Sequence, residues 1–260
     1  MQNIVMKTLM MAAIALAACP QNAVAVFDDF SDLNDTANPT WTHLTGYVNS
    51  TGQNWDASTG QYRLTALNDG ISAFGFVGSH VGPNMSDVVV SADLVDFIGP
   101  PAGPVIGLGA RLNGVNTTGG LTGYAYLYEP FASSGGGEFV LARINPGVNI
   151  TDLGAMGTEN VDYVRKVTLD PNKDYRWTLS VIGDQVRGEV HEIGGGLVAF
   201  QSQTDSFYAS GTSGLLAYSQ NPLPPVDVTW DNFSSVVPEP ASGVLLTISA
   251  LIVGFVRRRR

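Results

Sequence analysis

From Val26 onward the chain alternates apolar and polar residues in short runs broken by Gly, Pro and Asn. Examples are Val88–Phe97, Val105–Leu112, Leu121–Glu129, Glu138–Ile144, Val164–Leu169, Lys173–Ile182, Gln185–His191 and Val226–Phe233. A period of two sends successive side chains to opposite faces of a strand, so each run predicts a strand with one face buried. Strands of this size recurring every ~8–12 residues predict an all-β antiparallel sandwich. No stretch before the C-terminal tail keeps a helical period for three turns. The 30 glycines, with many Asn and Thr residues, supply the turns.

The best-defined hairpin is Tyr175 to His191. Tyr175, Trp177, Leu179 and Val181 fall on one face, and Arg176, Thr178 and Ser180 on the other. Gly183-Asp184 reads as a two-residue turn of the Gly-X kind. On the return strand Val186, Gly188 and Val190 face the core, and Arg187, Glu189 and His191 face solvent.

The pattern changes at both ends. Lys7 followed by the apolar run Thr8 to Ala18 reads as a secretory signal, and Ala23-Val24-Ala25 as its small-residue cleavage site. Residues 1–25 are therefore the expected signal peptide, and Val26 the first mature residue. Leu16-Ala17-Ala18-Cys19 is a competing site, at which Cys19 would be lipidated. Ala241 to Val256 is apolar apart from Ser242, Thr247 and Ser249. As a helix it covers roughly 24 Å, slightly short of a ~30 Å hydrocarbon core, which snorkelling by Arg257 to Arg260 can make up. The four arginines place residues 257–260 in the cytoplasm and everything before Val237 outside. Pro238 and Pro240 hold Val237-Pro238-Glu239-Pro240 extended just outside the membrane.

This tail, residues 236–260, resembles the PEP-CTERM sorting signal of Gram-negative bacteria: a Val-Pro-Glu-Pro segment, an apolar stretch and a terminal Arg cluster, in that order. The resemblance implies transfer by the secretion machinery, recognition by an exosortase, and delivery to the cell surface or an extracellular polymer matrix. It also implies a membrane anchor through helix 241–256 before processing. The same tail also goes under the name of an ice-binding protein C-terminal domain.

Charge and cysteine content narrow the partners. Between the two ends stand 8 basic and 22 acidic residues, a net of −14. Such a surface repels nucleic acid and anionic lipid, tolerates neutral polymers and can take divalent cations. Cys19 is the only cysteine, so cleavage after Ala25 leaves no disulfide, no zinc-thiolate site and no cysteine nucleophile.

The body also carries a second set of signatures. They are Phe27-Asp28-Asp29-Phe30, Gly107-Leu108-Gly109-Ala110-Arg111, Gly123-Tyr124-Ala125-Tyr126, Tyr175-Arg176-Trp177 with the Gly-Asp hairpin, Ser213-Gly214-Leu215-Leu216-Ala217 and Asp231-Asn232-Phe233. Residues 26–235 thereby resemble a concanavalin A-like (laminin G or lectin/glucanase type) jelly roll. The resemblance implies two curved antiparallel sheets, a concave face that often binds carbohydrate, and first and last strands that pair.

Three constellations are candidates for chemistry. Tyr124, Tyr126 and Tyr128 share one strand face; with Gly107 and Gly109 beside them and Arg111 at the edge, they would form an aromatic platform for sugar rings. The competing assignment for the same rings is inter-sheet packing. Glu189 and His191 project together and can be read as an acid/base pair, or as a solvated strand face. The Glu-x-Asp-x-Glu pattern of glucanases that share the fold does not occur in the chain. Asp28, Asp29 and Asp231 lie near the two ends of the body and can be read as ligands of a structural Ca²⁺, or as turn caps that keep the surface soluble. The leading expectation is a non-catalytic, surface-displayed sandwich that binds or organises extracellular polysaccharide. A glycan-active hydrolase and an ice-binding adhesin are the alternatives.

Overall fold

The computed structural model describes residues 25–45, 51–67, 74–114, 120–131, 136–147, 149–154, 166–220 and 224–238. Residues 1–24 and 239–260 lie outside the described residues, and with them nearly all of the expected signal peptide, Glu239, Pro240, the 241–256 helix and Arg257–Arg260. Ala25–Val236 forms a compact unit of its own. Among the described residues there is no helix long and apolar enough to cross a membrane.

Fifteen strands are described, in chain order: β1 Ala25–Asp28, β2 Thr42–His43, β3 Thr51–Asp56, β4 Tyr62–Leu67, β5 Phe74–Met85, β6 Val88–Phe97, β7 Val105–Asn113, β8 Thr122–Glu129, β9 Glu138–Asn145, β10 Asn149–Asp152, β11 Tyr175–Ile182, β12 Gln185–Glu192, β13 Leu197–Thr204, β14 Gly211–Gln220 and β15 Val226–Val236. They form two antiparallel sheets. The first runs β13-β12-β11-β6-β15-β4-β3, with β1 also on β15; the second runs β10-β9-β8-β7-β14-β5-β2. First and last strands therefore pair, Asp28 opposite Phe233, as the sequence led us to expect.

The alternation inside β11 and β12 matches the sequence pattern residue for residue: Tyr175, Trp177, Leu179, Val181, Val186 and Val190 are buried. The expected strand over Val164–Leu169 does not form across its described part, residues 166–169. Lys166 makes only an isolated bridge to Glu138, and the Leu169 N–H donates to the Tyr128 hydroxyl instead of to a ladder. Strands β3 and β5 escape a periodicity reading because Thr-Gly-Gln-Asn and the Gly, Pro and Asn positions of β5 break the alternation.

Aromatic rings fill the space between the sheets. Trp177 meets Trp230 edge-on at 5.7 Å, and Phe139 lies 5.3 Å from Trp177 and 5.4 Å from Tyr126. Fully burying a side chain of this kind stabilises by about 1.5–3 kcal/mol, before the entropy of ordering it is subtracted. The outer face of the second sheet is apolar as well: Ala125, Leu127, Val140, Ala142, Ile144 and Leu216 form one buried cluster there.

Candidate functional site

The three tyrosines form no platform. Tyr124, Tyr126 and Tyr128 are each 0 % exposed and point between the sheets. Their cross-strand neighbours on β7 are Ala110, Leu108 and Ile106, whereas Gly107 and Gly109 sit opposite Leu127 and Ala125 on the other face. No ring face is left for a ligand. Burial raises the phenol pKa of Tyr124 and Tyr128 to about 12.

Arg111 is no rim residue either. A bulge interrupts β7 between Ala110 and Asn113, and Arg111 adopts a left-handed φ of 49°. Its buried guanidinium donates to three carbonyls: Nε to Ser86 (2.6 Å), Nη1 to Tyr208 (2.7 Å) and Nη2 to Gly183 (2.8 Å). It braces loops, and desolvation lowers its pKa.

Glu189 and His191 do share the outer face of the first sheet, opposite Thr178 and Arg176. Glu189 is paired with the Arg187 guanidinium, whose carbon lies 4.5 Å over the Phe200 ring. One row along, opposite Arg176, the Asp93 carboxylate is held by Arg176 through two 2.6 Å bonds and by Asn232 at 3.0 Å. The arrangement leaves Glu189 as half of an ion pair rather than half of an acid/base couple.

The aspartates do not converge as metal ligands. Asp28 is buried and accepts from the Trp41 indole (2.7 Å) and the Phe30 N–H (2.8 Å). Asp29 closes a local turn on Ser31, and Asp231 accepts from the Asn232 N–H. Among the described residues, no group of three or more His, Cys, Asp or Glu side chains could hold a metal ion. Val237 and Pro238 follow the last strand and take no part in the sheets.

What the register does assemble is a row across the first sheet. Phe27 lies opposite Ser234, Ser234 opposite Ser91, Ser91 opposite Thr178, Thr178 opposite Glu189, and Glu189 opposite Phe200. Directly paired residues share a face, and Thr178 stands between the core residues Trp177 and Leu179, so all six side chains lie on the outer face. The Ser91 and Ser234 hydroxyls are hydrogen-bonded at 2.8 Å. Five strand spacings of ~4.8 Å separate the terminal rings by roughly 24 Å. Phe27 is 61 % exposed, and Phe200 is backed by Arg187. Sequence reasoning missed this row, apart from Glu189, because its members come from six strands.

A second juxtaposition is also invisible in the sequence. Glu129 and Glu138 end β8 and begin β9 and lie directly opposite each other. Like charges at such a pair are unfavourable, and Cβ atoms at such positions stand about 4.5–5.5 Å apart.

No family model matches the sequence, and no curated protein is significantly similar to it. Solved structures do share the fold. A Bacillus licheniformis β-glucanase aligns over 84 % of this chain and 100 % of its own, at 13 % identity and a TM-score of 0.51. The CBM2 module of the evolved Dit of Lactobacillus casei BL23 phage J-1 aligns over 84 % and 97 %, at 12 % identity and the same TM-score. A lichenase derived from a mouse hindgut metagenome aligns over 83 % and 99 %, at 11 % identity and 0.51. The domain shares the jelly-roll β-sandwich fold of these structures.

Proposed function

We propose that this chain is an exported, non-catalytic carbohydrate-binding sandwich whose ligand is an extracellular polysaccharide lying across the outer face of the first sheet. The row from Phe27 to Phe200 carries the reading: hydroxyls and one carboxylate form a polar track, and an aromatic ring closes each end. Pyranose C–H bonds stack on such rings while sugar hydroxyls exchange hydrogen bonds with Ser91, Thr178, Glu189 and Ser234. The presence of a carbohydrate-binding module and of glucanases among the structural neighbours supports the ligand class. Sorting by an exosortase through Val237-Pro238-Glu239-Pro240, temporary anchoring by helix 241–256 and delivery to the cell surface or matrix belong to the same reading and rest on the sequence.

The test is native electrophoresis of residues 25–236 through gels cast with different neutral polysaccharides. Retardation that Phe200→Ala and Phe27→Ala each reduce about tenfold in apparent affinity supports the row. Retardation unaffected by both substitutions would place the ligand elsewhere.

The opposed Glu129 and Glu138 favour one second reading, a glycan hydrolase, because glycosidases work with a pair of carboxyl groups and the register places these two on one face of adjacent strands. A cleared zone in the same gels, abolished by Glu129→Gln, would decide for it.

A further inference from the structure

The connection Asp205–Ser210 leads from β13 in the first sheet to β14 in the second. Its backbone is braced from several sides. Arg111 and Asn113 donate to the carbonyls of Tyr208 (2.7 Å) and Ser210 (2.6 Å). The buried Tyr124 hydroxyl donates to Asp205 Oδ1 (2.6 Å) and accepts from the Tyr208 N–H (3.1 Å). The Asp205 carboxylate also accepts from the Phe207 N–H (2.9 Å) and from Arg143 Nη1 (2.7 Å), and the Asp205 N–H donates to the Asp184 carbonyl (2.8 Å). The Tyr208 hydroxyl donates to the Ile144 carbonyl (2.8 Å).

In the middle of this loop the largest apolar side chain stands in water: Phe207 is 63 % exposed. One face of its ring rests on the Arg143 guanidinium, 4.5 Å from the ring centre, and Tyr208 meets it edge-on at 5.0 Å and 76°. A single exposed apolar residue is ordinary on a protein surface. A ring immobilised from below by a guanidinium, on a backbone held by buried side chains, is different. Its orientation entropy is already lost on folding, so stacking a ligand on the free face loses little more. One ring is far too small for a protein interface, and the acidic surface of the body disfavours nucleic acid.

We propose that Phe207 is a second glycan-stacking site, taking one pyranose ring of a neutral polysaccharide, and that the domain is bivalent. The site rests on the carbohydrate-binding reading but not on the row. Phe207 lies beyond the end of β13, with about 16 Å of strand between Phe200 and Asp205. The two sites hold different polymer segments, and one domain bridges two chains. Bridging turns modest single-site affinities into avidity.

The test uses ¹⁵N-labelled residues 25–236 titrated with cello-, xylo-, laminari- and maltohexaose, reading amide shifts at Ser206–Ala209 and at Ser91, Thr178 and Glu189. Saturable shifts at both sets are expected, with Phe207→Ala weakening the loop response at least tenfold and Phe207→Trp retaining it. Shifts at the row alone overturn the second site and leave the first reading standing. Shifts at the loop alone support Phe207 and remove the row. Shifts at neither remove both. With the parent polymer of a binding hexaose, wild type is expected to raise solution viscosity and Phe207→Ala to bind without doing so. Equal viscosity with both proteins would overturn the bridging.

Discussion

A Cβ atom at Gly188 would lie 2.4 Å from the ring of Tyr126. Strand β12 of one sheet gives up a side chain so that a tyrosine of the other sheet can lie against its backbone. This contact makes the tyrosine stripe core rather than platform. Gly188→Ala is expected to cost about 1–3 kcal/mol through overpacking, and Tyr126→Ala about 3–5 kcal/mol through the cavity it leaves. Tyr126→Phe should be neutral or slightly stabilising, because the hydroxyl is buried with no hydrogen-bond partner. Urea midpoints of the three variants check the order.

Arg111→Met keeps an unbranched apolar stem and removes every donor. Three carbonyls, at Ser86, Gly183 and Tyr208, lose a charge-assisted bond each. The expected loss is about 3–5 kcal/mol, with faster amide exchange at Phe207 and Tyr208 than global destabilisation explains. Unchanged protection of those amides would mean that Tyr124 and Asp205 hold the loop without the arginine.

Two buried carboxyls should favour the fold in mild acid. Burial raises the Asp28 carboxyl above its ordinary 3.8, outweighing the bonds from Trp41 and Phe30, and burial likewise raises Asp231. A folded state with a raised carboxyl pKa binds a proton where the unfolded chain has lost it. The contribution of these two groups therefore grows as pH falls through the raised values toward 3.8. Asp29, Asp56 and Asp170 are lowered by hydrogen bonds from Ser31, Ser58 and Asn172, so their contribution is lost as pH falls below 3.8. Burial holds the His80 imidazole below its ordinary 6.5, so its contribution is lost as pH falls through 6.5; below that, urea midpoints are expected to rise toward about pH 4 and fall beyond it. Asp28→Asn should flatten the rising limb.

Chelation should leave the thermal midpoint unchanged, since Asp28 turns both oxygens to Phe30 and Trp41, Asp29 and Asp231 each turn one to Ser31 and Asn232, and no metal-holding group is found among the described residues. A drop of several degrees on adding EDTA, restored by Ca²⁺, would show a site built with residues beyond those described.

Glu189→Gln should shift stability by less than about 1 kcal/mol, because its ion pair with Arg187 lies at the surface. Glycan affinity should fall modestly, and no hydrolysis should be present to lose. Turnover that vanishes in this variant would restore Glu189 as a catalytic group.

Local alternation was enough for β11 and β12, because the apolar side chains there fall almost entirely on one face and the period of two assigns them. The same information delivered the sandwich class, the Gly183-Asp184 turn and the polar direction of Arg187, Glu189 and His191. It failed on β8, where Tyr124, Tyr126 and Tyr128 alternate with Ala125 and Leu127. Both faces are apolar there, so periodicity cannot say which one meets the other sheet; Gly188 decides it. The row from Phe27 to Phe200 and the opposed Glu129 and Glu138 depend on pairing register between strands, which is set by packing the two sheets together rather than by any local pattern. Phe207 depends on the same packing. Only when Arg111, Tyr124 and Arg143 converge from other strands does an ordinary loop phenylalanine become a fixed, exposed ring.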